Sequence, residues 1–393
     1  MKGIACGFTA NIDAKASLDG KLLEKLRSRC ESESEPPTPK RPGMYLHSWT
    51  DLAGAVEWNM RAGRGGEYIV TSERMLRELR GLADWTWSVG GTGLQAARAA
   101  AAAGCPAMVN VPAWTAEYDF LLNDEGLEEA RGNGKEAPVH YILEYNRNGR
   151  ANRIILRGTG EFAGGLIAPE FAARLKGSAD RFRALLVSGY NAADSPEEAA
   201  DLIGEQVRFL RSLGSHPIPV HLELAAFFSR EEQLGVIRRF KPLVRSVGCN
   251  EDEMAELLGL EGALLKLPDA ELLDRLGEAR IRLGVRNLIV HTHPFAVCVS
   301  DGEARKWEPA LGGGIRFAAA RAATGRFCTA EEIEAIASGL PPNARGVRLA
   351  GAAAGMRHIC VVPALEVKQV VGTIGLGDTF AAGLLAFAPG LDD

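Results

Sequence analysis

The sequence predicts an α/β fold, with a doubly wound, mostly parallel sheet and a smaller β lid domain. Apolar runs of strand length end in small or polar residues, and helical patterns separate most of them. This alternation is typical of parallel strands, because each parallel connection needs a crossover, usually a helix. One stretch breaks the rhythm. Residues Val139–Leu156 alternate apolar and polar around Asn148-Gly149, which predicts a hairpin.

The predicted elements follow one another along the whole chain. Strands are expected at Gly3–Phe8, Ala107–Val111, Ala184–Ser188, Ile218–Leu222, Val244–Gly248, Leu288–His291 and Cys360–Pro363. Helices are expected at Leu94–Ala103, Pro196–Leu213, Glu231–Phe240, Glu251–Leu258 and Phe380–Phe387. The charged, proline-rich stretch Glu31–Gly43 predicts a surface loop.

Composition and charge exclude several classes of protein. The chain has 393 residues and a formal net charge of −5, so we expect no nucleic-acid-binding surface. No apolar run approaches bilayer-spanning length, and the first strand pattern is too short for a signal peptide. The seven cysteines are scattered without a C-x-x-C pair, which is typical of free thiols in a reducing compartment. We therefore expect a soluble, cytoplasmic protein with no nucleic-acid or membrane partner.

The segment Thr373–Thr379 is the strongest chemical signal in the chain. Its glycines at 375 and 377 let the backbone approach a ligand closely, and a helical pattern follows. A helix N-terminus offers free N–H groups to phosphate, and Asp378 would stand beside that phosphate as a base. This is the arrangement of a small-molecule kinase. The alternative is a glycine-rich turn in which the aspartate is only the N-cap.

Two further segments indicate a polar substrate. Asn11 and Asp13 lie two apart, so in an extended chain their side chains share one face and can bind vicinal hydroxyls. A turn held by Asx hydrogen bonds is the alternative. Gly90-Gly91-Thr92 leads into an alanine-rich helix, and Gly91, Gly93 and Ala96 also fit the dinucleotide pattern G-x-G-x-x-A. That pattern requires an acid at the end of the next strand, where the chain reads Asn110-Val111-Pro112.

Carboxylates near other predicted strand ends indicate a Mg²⁺ site. His221-Leu222-Glu223 closes one strand, and Asn250 and Glu253 open the helix after the next. The alternatives are a capping box for Asn250 and Glu253, and a hydrogen-bonded buried histidine at 221. Three arginines in and beside the hairpin, Arg147, Arg150 and Arg153, favour phosphate contacts or simply a solvated surface.

The ordered set of these pieces resembles the ADP-dependent glucokinase and phosphofructokinase family, a branch of the ribokinase-like superfamily. The matching motifs run from end to end of the chain: Asn11–Ala14, Gly90-Gly91, His140 with Glu144, Ala151–Arg153, Ser188-Gly189, His221–Ala225, Ser246–Glu253, His291-Thr292 and Thr373–Thr379. The H-x-E and N-x-x-E pair, with a terminal G-x-G-D, separates this branch from relatives that use ATP.

The resemblance implies a fold, a donor and a set of roles. The fold is ribokinase-like, with a lid at roughly 11–67 and 111–164 and a large domain at roughly 1–10, 68–110 and 165–393. ADP is the phosphoryl donor and Mg²⁺ the cofactor. In the catalytic set, Asp378 is the base and the amides of Gly375, Leu376 and Gly377 hold the phosphate. The remaining roles are metal binding for Glu223, Glu253 and Asp378, nucleotide binding for His291, Thr292 and Asn250, and acceptor binding for Asn11, Asp13, Glu67, Gly90, Gly91, Thr92, His140 and Arg153.

Three departures from the family pattern bear, in turn, on the sugar, on the nucleotide pocket and on the size of the loops or lid. Thr92 replaces the usual glutamine, Thr292–Phe295 replaces a run with glycine and tyrosine, and the chain is shorter than typical members. Glu67 favours glucose, whereas the hairpin arginines favour fructose 6-phosphate. A different sugar, a nucleoside acceptor and an inactive nucleotide-binding regulatory protein are also compatible with the sequence. The oligomeric state is not predicted, and the preference for ADP over ATP follows from the resemblance alone.

Overall fold

The computed structural model describes most of the chain. The described residues are 2–30, 40, 43–134, 136–147, 150–162, 164–190, 193–214, 218–225, 229–260 and 262–390. The predicted turn Asn148-Gly149 and most of the predicted loop Glu31–Gly43 lie outside them.

Within these residues the chain alternates between strands and helices. The strands are β1 Gly3–Cys6, β2 Asn11–Ser17, β3 Tyr45–Leu46, β4 Gly66–Val70, β5 Thr86–Gly90, β6 Ala107–Val111, β7 Leu127–Arg131, β8 Val139–Arg147, β9 Arg150–Arg157, β10 Phe182–Val187, β11 Val220–Glu223, β12 Ser246–Asn250, β13 Asn287–His291, β14 Phe295–Ser300 and β15 Ile359–Pro363. The helices are α1 Gly20–Arg27, α2 Trp49–Ala62, α3 Glu73–Arg80, α4 Thr92–Ala102, α5 Ala116–Leu121, α6 Pro169–Gly177, α7 Pro196–Ser212, α8 Arg230–Phe240, α9 Glu251–Leu258, α10 Asp269–Leu283, α11 Glu308–Thr324, α12 Ala330–Ser338, α13 Ala344–Ala353 and α14 Leu376–Ala386.

The larger sheet is mostly parallel, as predicted. Its order is β15-β14-β13-β12-β11-β10-β1-β6-β7. The strands from β7 to β13 are parallel, and β14 alone is reversed, because it pairs antiparallel with both β13 and β15. Helices separate most of the parallel strands along the chain. Apolar side chains from the large sheet and its helices form two hydrophobic cores. The sheet therefore brings the carboxyl ends of β11, β12 and β13 together, and these ends carry Glu223, Asn250 and His291.

A second sheet of six strands forms the smaller layer. Its order is β3-β4-β9-β8-β2-β5, and the side chains of its own core come from these strands and from α1, α2 and α3. Two strands lie on the other side of the expected domain boundaries. Thr86–Gly90 joins the small sheet because it pairs antiparallel with β2, and Leu127–Arg131 joins the large sheet because it pairs in parallel with β6.

The observed strands and helices agree with the predicted ones to within one to three residues at most ends. The sequence interpretation omitted the strands β3, β4, β7 and β14. Of these, β14 pairs antiparallel with β13 after a short turn. An alternating strand–helix pattern cannot reveal such a strand, since no helix separates it from its neighbour. No helix in the described part of the chain is long and apolar enough to cross a membrane.

Close packing of two helices fixes the position of α14. A side chain at Gly383 of α14 would bring its Cβ to 2.5 Å from the carbonyl oxygen of Gly313 in α11. The two helix backbones therefore approach each other as closely as glycine allows. Phe380 packs in the same contact, against Gly314. This contact holds the start of α14, with Asp378 in its first turn, at the edge of the sheet.

Candidate active site

The start of α14 has the geometry of an anion site. Gly375 is the N-cap residue in the left-handed region at φ 72°, and no side chain caps the helix. The first intrahelical bond runs from the Thr379 amide to the Gly375 carbonyl at 2.9 Å, so the amides before it point out of the helix without intrahelical acceptors. The alternative of a capping aspartate is wrong, because Asp378 is the third residue of the helix.

The Asp378 carboxylate lies in a half-buried, charged neighbourhood. Burial raises its pKa to about 6, and a hydrogen bond from Thr92 acts in the opposite direction. The charges of Glu223 and Asp13 raise this pKa further, whereas Arg153 lowers it. Asp378 is therefore within electrostatic range of Asp13 and Arg153 on the small sheet and of Glu223 on the large sheet. At pH 7 it is mostly ionised and able to accept a proton.

Asn11 and Asp13 share one face of β2, as predicted. Asn11 Nδ2 donates to Asp13 Oδ1 at 2.7 Å, and both side chains are buried. The alternative of an Asx turn is wrong, since both residues belong to a regular strand. Gly90 lies opposite Asn11 on β5, and any side chain there would overlap the Asp13 carboxylate. Gly91 follows and begins α4 as its N-cap.

His140 lies beside Asp13, at the paired position on β8. Its Nε2 lies 3.0 Å from Oε2 of Glu161, a residue that the sequence interpretation missed. Glu144, which the sequence placed with this histidine, is instead exposed. Burial alone would lower the pKa of His140, but Glu161, Asp13 and Glu67 raise it to about 9. The Gly158–Glu161 turn directly after a predicted strand was the available signal for Glu161.

Glu67 is held by an arginine that the sequence interpretation also missed. Arg157, at the end of β9, is 2 % exposed and donates from Nε to Glu67 Oε1 at 3.1 Å. It also donates to Asp194 Oδ1 at 2.5 Å and to the carbonyl oxygen of Ala193 at 3.0 Å. Arg157 thus joins the small sheet to the loop after β10. Neither Arg157 nor Asp194 belongs to a sequence motif, so their part in this site could be recognised only from their contact in the structure.

The three hairpin arginines have different environments. Arg147 is exposed at the end of β8, and the side chain of Arg150 lies outside the described part of the chain. Arg153 is half-buried and contributes positive charge to both Asp13 and Asp378. Its charge therefore acts on the position where the predicted base and the predicted acceptor pocket meet.

Glu223 is anchored at the carboxyl end of β11 by two histidines. His221 Nε2 donates to Oε2 at 2.9 Å, and His291 Nε2 donates to Oε1 at 2.8 Å. Burial would raise the pKa of Glu223, but these two hydrogen bonds lower it to about 2. The buried histidine predicted as the alternative at 221 is confirmed, because its Nδ1 also lies 2.8 Å from Ser246 Oγ.

Asn250 and Glu253 form a capping box, so that alternative is confirmed. Asn250 accepts from the amide of Glu253 at 3.0 Å, and Glu253 Oε2 accepts from the amide of Asn250 at 2.9 Å. Burial raises the pKa of Glu253 to about 7, with a further contribution from the charge of Glu223. The cap also fixes the carboxylate in place near Glu223.

The chemistry of these carboxylates is compatible with Mg²⁺ bound mostly through water. Within the described residues, no group of three or more His, Cys, Asp or Glu side chains could hold a metal ion by itself. Both oxygens of Glu223 already accept hydrogen bonds. Carboxylate oxygens that act mainly on the water shell of a cation, with substrate phosphates as further ligands, are the usual way in which proteins bind Mg²⁺.

His291 connects the carboxylates to the glycine turn. Its ring packs against Phe380 with a centroid distance of 4.8 Å, and its Cε1 lies 3.4 Å from the Cβ position of Gly377. Thr292 follows and closes the β13–β14 turn, where its hydroxyl donates to the carbonyl oxygen of Phe295 at 2.7 Å. The structure thus brings His291, Glu223 and the start of α14 together, whereas the contacts of Thr292 are those of a turn.

The fold and this site define the class of protein as a small-molecule kinase with a ribokinase-like fold. A solved adenosine kinase from Sinorhizobium meliloti shares the fold, with a TM-score of 0.55 and 15% identity over 98% of this chain and 86% of that chain. The chain belongs to the ADP-specific phosphofructokinase/glucokinase family, whose conserved region matches residues 2–387. The homologues are ADP-dependent sugar kinases, so the predicted enzyme class is confirmed.

Two relatives define the likeness further. The ADP-dependent glucose/glucosamine kinase of Pyrococcus furiosus is 25% identical over an alignment that covers 97% of this chain and 93% of the relative. A solved ADP-dependent kinase in complex with fructose-6-phosphate and ADPβS has a TM-score of 0.77. It is 18% identical, and the superposition covers 98% of this chain and 93% of that chain.

Proposed function

We propose that this protein transfers the β-phosphate of ADP to a hydroxyl group of an unphosphorylated hexose of the glucose type, leaving AMP. The observation that carries the proposal is the position of Asp378. Its carboxylate lies in the first turn of α14, beside open helix amides, and shares one electrostatic environment with Asp13 and Glu223. A base, an anion site and an acceptor pocket thus meet at one place, as in-line phosphoryl transfer requires.

The donor would bind along the carboxyl edge of the large sheet. Amides of Gly375, Leu376 and Gly377 would hold the transferring phosphate, with His291 packed beneath them. Mg²⁺, when bound near Glu223, Glu253 and Asp378, would neutralise the charge of the phosphates. Thr292 and Asn250 lie at the ends of neighbouring strands β13 and β12, near the same edge.

The acceptor would bind on the small sheet, over β2 and β5. Asn11 and Asp13 are fixed by their mutual hydrogen bond and present a paired amide and carboxylate to vicinal hydroxyls. The missing side chain at Gly90 makes room for the pair itself, because a Cβ there would overlap Asp13 Oδ1. His140, Gly91 and Arg153 would complete the pocket, and Asp378 would take the proton of the attacking hydroxyl.

The charges of the small sheet favour an acceptor without its own phosphate. Arg157 is already committed to Glu67, Asp194 and backbone oxygens, and Arg147 is exposed. The charge of Arg153 acts on two carboxylates, those of Asp13 and Asp378. Glu67 remains half-exposed and carries a carboxylate that would repel a phosphate group. Glu67 therefore suits a neutral sugar better than fructose 6-phosphate. The name of the P. furiosus relative, a glucose/glucosamine kinase, points in the same direction.

A coupled assay of AMP release tests the proposal. Purified protein is incubated with Mg²⁺ and either ADP or ATP, over a panel of glucose, glucosamine, fructose 6-phosphate, other hexoses and nucleosides. We expect the highest kcat/KM with ADP and an unphosphorylated hexose. A higher kcat/KM with fructose 6-phosphate, or with ATP, would overturn the corresponding part of the proposal.

The competing class is a nucleotide-binding regulatory protein without kinase activity. The proposal disfavours it, because an inactive protein would not need an open helix start beside Asp378 together with Glu223 and Glu253, whose charges influence one another. ADP binding by calorimetry without AMP formation from any member of the panel would establish that alternative instead.

A further inference from the structure

We propose that Glu161 is a positioning residue for the acceptor, which acts by holding the His140 imidazole in one orientation with the Nε2 proton facing away from the pocket. This inference rests on the proposed function, since it assigns a role to a residue behind the acceptor site. The contact joins His140 on β8 of the small sheet to Glu161, which lies just after β9.

The contact between Glu161 and His140 is direct and shielded from water. Nε2 of His140 lies 3.0 Å from Oε2 of Glu161, and the side chains of the two residues are 20% and 5% exposed. A hydrogen bond between a carboxylate and an imidazole fixes both the ring plane and the tautomer, because the carboxylate only accepts. With Nε2 bound to Glu161, the nitrogen that remains for the acceptor is Nδ1.

His140 lies beside the residues proposed to bind the acceptor. It occupies the β8 position paired with Asp13 on β2, so its side chain lies on the same face of the sheet as that carboxylate. Asp13 in turn binds Asn11 and lies against Gly90. A ring that rotated by half a turn would present carbon instead of nitrogen to a sugar hydroxyl. Glu161 prevents this rotation.

Glu161 is itself held from behind by charge. Among the described residues, its second oxygen, Oε1, is buried without a hydrogen-bond partner. The Arg157 guanidinium supplies the compensating positive charge for Glu161, as it does for Glu67 and Asp194. The carboxylate thus has His140 as its hydrogen-bond partner and Arg157 as a nearby positive charge. This explains why a carboxylate with one buried, unpartnered oxygen is tolerated there.

The charged groups around His140 determine its protonation. Negative charge reaches the ring from Glu161 in the turn after β9, from Asp13 on β2 and from Glu67 on β4, and together they raise the pKa of His140 to about 9. Below that pH the ring is an imidazolium and Nδ1–H donates to an acceptor oxygen. Above it the ring keeps its proton on Nε2, and Nδ1 can only accept.

The first experiment measures the His140 pKa directly, without turnover. The imidazole C–H signals are followed by NMR against pH in the whole protein, and the His140 signal is identified by its loss in His140→Gln. We expect Glu161→Gln to lower the His140 pKa by more than one unit, a loss of more than tenfold in proton affinity. Glu73→Gln removes the same charge from a side chain that is 89% exposed on α3, and should leave the titration unchanged.

The second experiment measures the acceptor KM against pH. We expect the wild-type acceptor KM to rise above about pH 9 and the Glu161→Gln KM to rise at a lower pH, with kcat changed less than KM. The double variant His140→Gln/Glu161→Gln should be no worse than His140→Gln alone, because Glu161 acts through His140. If the glutamine variant does not fold, Glu161→Asp replaces it in both experiments, because it keeps the charge but shortens the side chain that reaches His140.

The outcomes separate this inference from the proposed function. If no sugar yields AMP but Glu161→Gln still shifts the His140 titration, the proposed function fails while the coupling between these two side chains stands. If turnover occurs but Glu161→Gln behaves like Glu73→Gln in both experiments, Glu161 has no positioning role. Additive losses in the double variant would lead to the same conclusion.

Discussion

At the scale of single residues, the site sets the proton affinities of its three central carboxylates far apart. Two imidazoles lower the pKa of Glu223 to about 2, whereas burial raises that of Glu253 to about 7 and that of Asp378 to about 6. The surroundings of each carboxylate, and not its chemical type, thus determine its pKa and the role it can have. Glu223 remains a permanent anion, and Asp378 remains able to exchange a proton near neutral pH.

The role of Asp378 gives the first prediction. Asp378→Ala should reduce kcat by at least about a thousandfold, because the base is removed from the attacking hydroxyl, while ADP binding persists. Turnover is measured by AMP release with the preferred sugar, and ADP binding by calorimetry. Turnover within tenfold of wild type would refute the assignment of Asp378 as the base.

The hydrogen bond from Thr92 gives a pH prediction. The base must be ionised, so kcat/KM should fall as the pH drops below about 6, the pKa to which burial raises Asp378. The Thr92 hydrogen bond lowers that pKa, so Thr92→Val should move this acidic limb to higher pH. Ionisation of the nucleotide is common to both enzymes, and the difference between their profiles therefore isolates Asp378. Identical acidic limbs would contradict the coupling.

At the scale of elements, the site depends on where α14 begins and on what it packs against. The residues before it form a left-handed turn at Gly375, and its far side lies against α11 through Gly313 and Gly383. This packing positions the open amides of α14 above the ring of His291. The position of Asp378 and of the open amides is therefore set by a close contact between glycines of two helices.

Filling that helix contact should move the start of α14. Gly383→Ala would place a methyl group 2.5 Å from the Gly313 carbonyl oxygen. We expect it to lower the free energy of unfolding by about 1–3 kcal/mol and to reduce kcat through displacement of α14. Urea denaturation and steady-state kinetics measure the two effects.

A matched helical glycine is the control. Gly351 lies in α13 with open space around its Cβ position, so Gly351→Ala should be neutral or stabilising by up to about 1 kcal/mol. Equal destabilisation by both substitutions would mean that α14 is not packed unusually closely against α11.

Some features of the fold and of the candidate site could be predicted from the sequence, and others could not. Asn11 and Asp13, the glycine turn with Asp378, and the capping box at Asn250 are local patterns, and local geometry follows from local spacing. The omitted strand β14 follows β13 without a helix, so the strand–helix rhythm concealed it. Glu161 and Arg157 escaped because their partners lie on other strands, and sequence spacing carries no information about such contacts.

At the scale of the whole molecule, one buried cation joins the two sheets. Arg157 ends β9 of the small sheet and binds Glu67 of that sheet, and it also binds Asp194 beyond β10 of the large sheet. The amide of Gly160 and the hydroxyl group of Tyr45 add further hydrogen bonds to the same aspartate. Glu67, the carboxylate proposed to face the acceptor, is thus connected to the relative placement of the two layers.

Loss of that cation should affect stability and acceptor binding together. Arg157→Met keeps much of the side-chain volume but leaves Asp194 and Glu67 without their shared partner, so we expect a destabilisation of about 3–5 kcal/mol and a higher acceptor KM. Unfolding by urea and the KM for the preferred sugar are measured in parallel. Arg61→Met, which removes an arginine from an exposed i, i+4 ion pair, should change the stability by less than about 1 kcal/mol. Similar losses in both variants would argue against a bridging role for Arg157.

The ring of His291 links the proposed sites for the divalent ion and the donor. It is bonded to Glu223 on one side and lies beneath Gly377 on the other, with Phe380 against its face. If the divalent ion and the donor bind as proposed, a substitution at His291 should change the metal requirement and the KM for ADP together. The residues proposed for the sugar lie on the other sheet, so substitutions there should change mainly the acceptor KM.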